Sequence, residues 1–234
     1  MDKMDKLIMV VPRDLLLPKE KYFEGYISSE YHDYVRDILT NYQWRRRGDM
    51  EFDPAYKQPI LYCSIVNRKL GKVFAYQRAK NNEGCTEERI EGKWSWGVGG
   101  HVDKDTDGMH TNPLSASLKR ELSEEVDIRG LYNEAKVVGY LNFEDAVETF
   151  HFSILCIVET SAKEIFPRDK EIHVGKYRSL FELEEMVSSS ESSSLEEQGA
   201  SPRYDVEKWS KKALHSLRQY FDNKSYRDSA RLLK

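Results

Sequence analysis

The sequence predicts one α/β or α+β domain with an N-terminal extension and a C-terminal helix. Apolar, β-prone runs alternate with a few amphipathic segments of helical period, and no segment is repeated along the chain. The 234 residues are enough to bury a substantial core. Hydrophobic residues make up 39% of the chain and charged residues 32%, which is typical of a water-soluble globular protein.

The first 58 residues are predicted to form the N-terminal extension, packed on the core. Residues 7–11 are a short apolar run that suits a strand. In residues 29–41, apolar side chains recur at spacings of three and four, which predicts a helix with a serine cap at Ser28 or Ser29. The polar residues 43–58 show no such pattern.

Residues 59–187 are predicted to form the main domain. Residues 60–67 and 72–77 are β-rich and flank a turn, so we expect a hairpin. Another β-prone run, residues 94–98, stops at Gly99-Gly100. Residues 136–143 and 149–158 are expected to pair antiparallel across a turn at 144–147. A short helix is expected within 177–186.

A helix is predicted after Asn112. Asn112 or Thr111 can accept the free amide hydrogens of the first turn, and Pro113 suits the first helical position. Four apolar residues recur every four positions and predict a buried stripe: Leu114, Leu118, Leu122 and Val126.

The C-terminal part is predicted to contain a serine-rich linker, residues 188–203, and a helix within residues 204–234. Six of the seven residues from Ser188 to Ser194 are serine, so the segment cannot bury apolar area and is expected to be mobile. Apolar residues at helical spacing follow, ending at Phe221. A chain cut after Ser188 is expected to retain some turnover if the protein is an enzyme.

Composition argues against several classes of protein. The net charge of -4 gives no reason to expect nucleic-acid binding. Cys63, Cys85 and Cys156 have no metal-binding spacing and are expected to be reduced thiols, with the first and last in the core. The N-terminal apolar patch is too short for a membrane span, so a cytoplasmic location is expected.

Acidic residues converge on the helix after Asn112, in the segment GGHVDKDTDGMHTNPLSASLKRELSEEVDI. Residues three and four apart share a helix face, so Glu121 lies beside Glu124 and Glu125, and Arg120 lies beside Glu124. Such crowding is costly unless a hard divalent cation such as magnesium compensates the repulsion. The alternative is a solvated acidic face, which charge runs on helices commonly form.

The segment resembles the Nudix box, whose second half is Arg-Glu-apolar-any-Glu-Glu-any-Gly-apolar. The matching residues are Arg120, Glu121, Leu122, Glu124, Glu125 and Ile128, with Gly99-Gly100 as the opening glycines. The resemblance implies an α/β/α sandwich with a mixed sheet. It implies that Glu121, Glu124 and Glu125, with a carbonyl of Gly99 or Gly100, bind Mg²⁺ or Mn²⁺, and that Arg120 orients the glutamates.

Three departures from the box are visible. The loop between the glycines and the helix is about six residues longer than in the standard pattern. Asn112 stands in place of the first Glu, and Asp127 replaces the closing Gly. Asn112 can cap the helix instead, and Asp127 tolerates a left-handed backbone better than most residues. The longer loop could place Asp103, Asp105 or Asp107 near the metal.

Residues outside the box were weighed as substrate contacts. Arg78 follows a strand end, Trp96 precedes the glycines, and His151 alternates with phenylalanines on a strand. Each could contact substrate, although an ordinary surface or core position is the commoner role for such residues. Glu144, Asp145 and Glu148, in the turn before the last strand, are the candidates for a general base outside the box; ordinary hairpin polarity is the alternative.

The predicted function is metal-dependent hydrolysis of a diphosphate linkage in a nucleoside diphosphate joined to another group, with Glu124, Arg120 and Glu121 as catalytic residues. One alternative is a Nudix-fold hydrolase or isomerase acting on a non-nucleotide diphosphate. Another is a module that senses a nucleotide without cleaving it, and a protein-interaction domain is a third. The expected partner is a small, nucleotide-derived diphosphate. A homodimer is possible, and neither nucleic acid nor membrane is expected as a partner.

Overall fold

The computed structural model of the protein describes residues 2–80, 88–192 and 204–233. The first part contains β1 (Leu7–Pro12), α1 (Arg13–Leu16), β2 (Gly25–Ser28), α2 (Tyr34–Asn41), β3 (Gln43–Arg46) and α3 (Arg47–Met50). The middle contains β4 (Tyr56–Asn67), β5 (Lys72–Arg78), β6 (Trp94–Ser95), α4 (Lys104–Asp107), α5 (Pro113–Glu125), β7 (Val126–Ile128), β8 (Lys136–Asn142), β9 (His151–Glu159) and β10 (Ile165–Pro167). The last part contains β11 (Ile172–Ser179), α6 (Leu180–Ser192), α7 (Lys208–Asp222), α8 (Lys224–Ser229) and β12 (Arg231–Leu232).

The main sheet is mixed. Its strands follow the order β11-β5-β4-β9-β8-β12, with β1, β2, β3 and β6 attached to this path. Strands β4 and β9 pair in parallel, whereas β4 with β5 and β8 with β9 pair antiparallel. The predicted hairpin and the predicted antiparallel pair are therefore confirmed. Strands β7 and β10 form a separate two-stranded sheet.

Helices cover both faces of the main sheet. Tyr34 and Ile38 of α2 and the leucines of α5 belong to one buried apolar cluster. Leu183 of α6 and Leu217 of α7 belong to another. Because an apolar sheet face must be covered by other elements, the result is the predicted α/β/α sandwich, which is confirmed.

The first and last segments are integrated into this architecture. Strand β1 pairs with β4, and β2 pairs with β8, so residues 1–58 supply strands to the sheet. The predicted boundary at residue 58 falls inside β4. Helix α7 carries six buried residues against the sheet, and β12 pairs with β8.

The start of helix α2 differs from the prediction. Helix α2 begins at Tyr34, where Asp33 accepts a hydrogen bond of 3.2 Å from the amide of Arg36. The predicted cap Ser29 instead donates its hydroxyl to the carbonyl of Val137. Strands β2, β3, β10 and β11 were not predicted, because they are short or polar and take their shape from neighbouring strands rather than from their own pattern.

The serine-rich segment is partly helical. Helix α6 starts with a capping box, in which Glu182 accepts from the amide of Ser179 at 2.8 Å while Ser179 accepts from the amide of Glu182 at 3.2 Å. It continues to Ser192, so the linker prediction is wrong for residues 188–192. The helix, once started, extends through serines that the composition alone assigned to a linker. Residues 193–203 lie outside the described residues.

Two cysteines lie in the core, as predicted. Cys63 and Cys156 are buried free thiols, and they are register partners on the parallel strands β4 and β9. Cys85 lies outside the described residues. Within the described ranges, every helix is too short or too polar to span a bilayer.

Candidate active site

Helix α5 presents its acidic face to a cleft because its other face is anchored in the core. Asn112 caps the helix by accepting from the amide of Ser115 at 3.0 Å, and Pro113 occupies the first turn. Leu114, Leu118 and Leu122 are buried. The side chains on the opposite face, among them Arg120 and Glu121, therefore point away from the core.

The paired glycines fit closely between β4 and α5. Gly99 has φ 143°, and a Cβ there would lie 2.2 Å from the carbonyl oxygen of Leu61. A Cβ on Gly100 would lie 2.7 Å from Oε1 of Glu121. A side chain at Gly99 would thus collide with the backbone of Leu61, and a side chain at Gly100 would collide with the carboxylate of Glu121.

Arg120 is the centre of the polar network. One guanidinium nitrogen donates to Glu121 at 2.8 Å and to Glu124 at 3.1 Å. The other end donates to the carbonyl of His101 at 3.1 Å. These charge-assisted bonds hold two of the three glutamates and tie α5 to the segment after the glycines.

The lengthened loop supplies a further partner for Arg120. Asp107 accepts two hydrogen bonds of 3.0 Å from this guanidinium and is 1% exposed. Its Oδ2 also accepts from the amide of Asp103 at 2.9 Å, which closes the short helix α4. Asp103 in turn binds Lys6 at 2.7 Å. The extra loop residues thus support the box and join it to the N-terminal extension.

Glu125 is the most deeply placed glutamate. Its Oε1 accepts from the amide of Gly99 at 3.2 Å, while its buried Oε2 has no hydrogen-bond partner among the described residues. Burial raises its pKa to about 8, although nearby Arg78 opposes this shift; Glu121 raises it further. Burial also raises the pKa of Glu121, against the lowering effect of Arg120. A carboxylate oxygen left unpaired in this way fits a cation ligand.

The closing position of the box, Asp127, does not need a left-handed backbone. Asp127 lies in β7, opposite Phe166 of β10. Strand geometry is open to any L-residue, so glycine is not required there.

The glutamates face a cleft of about 730 Å³. This is within the usual range for small-molecule sites. Its lining comes from the box, the N-terminal extension, residues 89–93 and the start of α7. The basic side chains in it are Lys3, Lys6, Arg47, Arg78, Arg89, Lys93, Arg120 and Lys208. Acidic side chains line the cleft in equal number, namely Asp103, Glu121, Glu124, Glu125, Glu148, Asp169, Glu171 and Glu207, so both signs of charge meet there.

The three predicted substrate contacts occupy different environments. Arg78 lines the cleft, but it also donates to Glu207 at 2.8 Å. His151 lines the cleft and is 5% exposed. Trp96 is 1% exposed and packs in the apolar cluster that α7 covers. The predicted contact of Trp96 with the substrate is therefore wrong. Because side chains alternate along the chain, its ring points into the core rather than into the cleft.

The three acids of the turn, Glu144, Asp145 and Glu148, also lie in different environments. Glu144 forms ion pairs with Arg13 and, at 3.5 Å, with Lys57, away from the cleft. Asp145 pairs with Lys208 at 2.6 Å. Glu148 lines the cleft, with its carboxylate 3.6 Å from Arg89.

Several lining residues were not predicted from the sequence. Trp209 was expected to be a packing residue of the last helix, yet its ring lines the cleft 6.0 Å from that of His151. Glu207 and Lys208 come from the same end of α7. Nothing local marks these residues, because their position depends on how a distant helix docks on the sheet.

Comparison with known proteins gives one sequence relative. The chain is 34% identical over 192 residues to Protein YmaB of Bacillus subtilis (strain 168), covering 79% of this chain and 91% of the relative. The chain belongs to the YmaB family. Models of known protein families give no match to it.

Solved structures show which fold this chain has. The crystal structure of Tm1382, named as a candidate Nudix hydrolase, aligns with a TM-score of 0.69 at 22% identity, covering 91% of this chain and 98% of that one. A Nudix hydrolase from Nitrosomonas europaea aligns over 73% of each chain, with a TM-score of only 0.43 and 16% identity. The first match shows the Nudix fold, so the resemblance drawn from the box is confirmed at the level of the fold.

Proposed function

We propose that the protein is a metal-dependent hydrolase that cleaves the diphosphate linkage of a nucleoside diphosphate joined to another group. The observation that carries the proposal is the buried, unpaired Oε2 of Glu125 beside Glu121 and Glu124. Three carboxylates in one helical turn favour a hard divalent cation such as Mg²⁺ or Mn²⁺, which prefers oxygen ligands. The Nudix fold supports this assignment, because it places these acids at the mouth of a cleft.

Glu121, Glu124 and Glu125 would hold the cation. The carbonyl of Gly99 is the preferred backbone ligand, since the carbonyl of Gly100 accepts from the amide of Leu61 at 3.2 Å. Once bound, the cation would supply charge neutralisation on the diphosphate and a lowered pKa for an attacking water.

Other side chains would position the substrate. Arg120 keeps Glu121 and Glu124 at fixed angles through its hydrogen bonds. Lys6 and Arg47, from the N-terminal extension, line the cleft and would contact phosphate groups of the substrate. Glu148 is the turn acid that lines the cleft, so it is our candidate for accepting a proton from the water.

The substrate would extend towards α7. Trp209 lines the cleft and is the aromatic ring that we propose as a contact for a nucleobase or other planar group. Residues of α7 and of the N-terminal extension thus shape the cleft, and they would decide which diphosphate is accepted.

The test is a hydrolysis screen with the purified full-length protein and Mg²⁺. The panel contains nucleotide sugars, dinucleotides, coenzymes, nucleoside triphosphates and non-nucleotide diphosphates. We expect turnover of a nucleoside diphosphate derivative that stops when a chelator removes the metal. Turnover restricted to non-nucleotide diphosphates would contradict the proposed substrate class.

Matched variants assign the activity to the box. Glu124→Gln and Glu125→Gln should lower turnover by about two orders of magnitude or more, because each removes an anionic ligand. Glu185→Gln, an exposed glutamate on α6, should leave it unchanged. Circular dichroism checks that the variants fold. Unchanged hydrolysis in both box variants would refute the assigned site. If the wild-type protein binds a nucleotide without cleaving it, the protein is a sensor instead.

A further inference from the structure

A second group of metal-ligating side chains lies outside the glutamate cluster. Glu51, His101 and His151 each place one ligand atom within 4.8 Å of the others. They come from three separate parts of the chain: the end of α3, the segment after the glycines, and the first residue of β9. Only the fold brings them together. His101 and His151 also line the cleft.

The imidazole of His151 is buried beside the cleft. It is 5% exposed, and neither ring nitrogen has a hydrogen-bond partner among the described residues. Its ring meets those of His101 and Trp209 edge-on, with centroids 5.6 Å and 6.0 Å away. A buried imidazole is normally hydrogen-bonded, so two unpaired nitrogens indicate that a ligand completes the site.

His101 is held in the tautomer that a metal requires. Gln58 donates its amide to the carbonyl of Met50 at 3.0 Å, which turns its Oε1 towards His101. The Nε2 of His101 therefore donates to this oxygen at 2.7 Å, and Nδ1 is left without a proton. Metal-bound histidines commonly donate their other nitrogen to a carbonyl in this way.

Burial also favours the neutral form of both histidines. Burial lowers the pKa of His151 to about 3, with Arg89, Arg47 and Lys57 acting in the same direction. Burial likewise lowers the pKa of His101. A neutral imidazole is the form that binds a metal, so no proton has to be displaced from either ring.

Glu51 supplies the anionic ligand. Its Oε1 accepts from Nε of Arg47 at 2.9 Å, which orients the carboxylate. A carboxylate has two oxygens, so this ion pair leaves the second one for a metal.

We propose that Glu51, His101 and His151 form a second metal site, separate from the box, which takes a first-row transition-metal ion such as Zn²⁺. Two imidazoles and one carboxylate are a ligand set of zinc sites that keep an open position for water or substrate. The open position would face the cleft, because His101 and His151 both line it.

The surroundings select against Mg²⁺ at this second site. Arg47, Lys57 and Arg89 lie close enough to depress the pKa of His151, so they also repel a cation held by charge alone. Zn²⁺ binds imidazole nitrogen strongly enough to offset this repulsion. Mg²⁺ prefers oxygen ligands and gains little from the two histidines. The cleft would thus hold two chemically different cations.

The test measures metal content rather than turnover, so it stands apart from the proposed hydrolysis. Full-length protein, stripped with a chelator, is incubated with Zn²⁺ in excess Mg²⁺, and the zinc retained after gel filtration is measured by mass spectrometry. We expect the wild-type protein to retain one zinc per chain. Absence of retained zinc would overturn the proposal.

Variants locate the ion. His151→Gln and Glu51→Gln should lose the retained zinc, whereas Glu124→Gln in the box and His173→Gln, an exposed histidine, should keep it. Zinc that survives in Glu51→Gln and His151→Gln, or that disappears in Glu124→Gln, would place the ion elsewhere and overturn the assignment. If His151→Gln fails to fold, X-ray absorption of the wild-type protein decides the matter: two imidazole ligands are expected, and a shell of oxygens alone would contradict the site.

Discussion

Two hydrogen bonds of 3.0 Å join the guanidinium of Arg120 to the carboxylate of Asp107. Asp107 ends the short helix α4 in the lengthened loop, and it is 1% exposed. Asn112, which stands where the box has its first glutamate, caps α5 instead. The insertion therefore provides an acid, Asp107, that holds the box arginine. This acid does not stand at position 112, where the box has its first glutamate.

Asp107→Asn should impair the box without removing any of its glutamates. The substitution removes the negative charge that faces Arg120, and so frees the guanidinium to pull on Glu121 and Glu124. Partners of this indirect kind typically contribute about 10- to 100-fold to metal affinity or activity. We expect a loss of this size in hydrolysis, and a higher Mg²⁺ concentration at half-maximal rate. Asp105→Asn, an exposed acid in the same loop, is the control and should change neither quantity.

Gly100→Ala should affect the site more than the fold. Its Cβ would lie 2.7 Å from the carboxylate of Glu121, a side chain that can move aside. Gly99→Ala would instead press on the backbone of Leu61 at 2.2 Å, with φ in the region that favours glycine. We expect reduced turnover with a small shift in Tm for Gly100→Ala. Backbone strain of about 1–3 kcal/mol or more is expected for Gly99→Ala. Equal destabilisation in the two variants would contradict this reading.

Glu148→Gln tests the proposed proton acceptor. The variant keeps the size of the side chain but cannot take a proton, so we expect kcat to fall by about 10²- to 10⁴-fold with little change in KM. Asp145→Asn, an acid three positions earlier that pairs with Lys208, serves as the comparison. A similar drop in both variants would indicate that the turn itself, not the Glu148 carboxylate, matters.

The C-terminal helix should be needed for folding and for the site. Leu217 of α7 is 0% exposed, so Leu217→Ala is expected to lower the free energy of unfolding by about 2–5 kcal/mol. Lys212→Ala, on the exposed side of the same helix, should change it by less than about 0.5 kcal/mol. Removing residues 204–234 should abolish turnover, because Glu207, Lys208 and Trp209 would leave the cleft. This reverses the expectation drawn from the sequence that a chain cut after Ser188 retains activity.

Acid should destabilise the metal-free protein through His151. Its pKa is about 3 in the folded chain, because of burial, and about 6.5 in the unfolded chain. Between these values the unfolded chain binds an extra proton, so stability rises with pH through this window and falls on acidification, by up to about 1.4 kcal/mol per pH unit. Urea unfolding at several pH values, with a chelator present, measures this slope. His151→Gln should flatten it and His173→Gln should not; equal slopes in wild type and His151→Gln would rule the histidine out.

The sequence alone determined the parts of this protein whose signals are local. The stripe of leucines and the Asn112–Pro113 start predicted α5, and spacing of three and four predicted that Glu121, Glu124 and Glu125 share a turn. The apolar runs predicted β4, β5, β8 and β9, because buried strands must be apolar whatever they pair with. The box residues then indicated the Nudix fold, which the structure has.

Only the tertiary structure decided the contacts between distant segments. The pairing of Asp107 with Arg120, the entry of Trp209 into the cleft and the meeting of Glu51 with His101 and His151 each join residues whose separation in sequence carries no pattern. Docking of helices and strands is set by complementary apolar surfaces summed over many residues, so no short motif can encode it. The turn that carries the three glutamates is therefore a local property of this chain, whereas the cleft that surrounds it is a property of the whole fold.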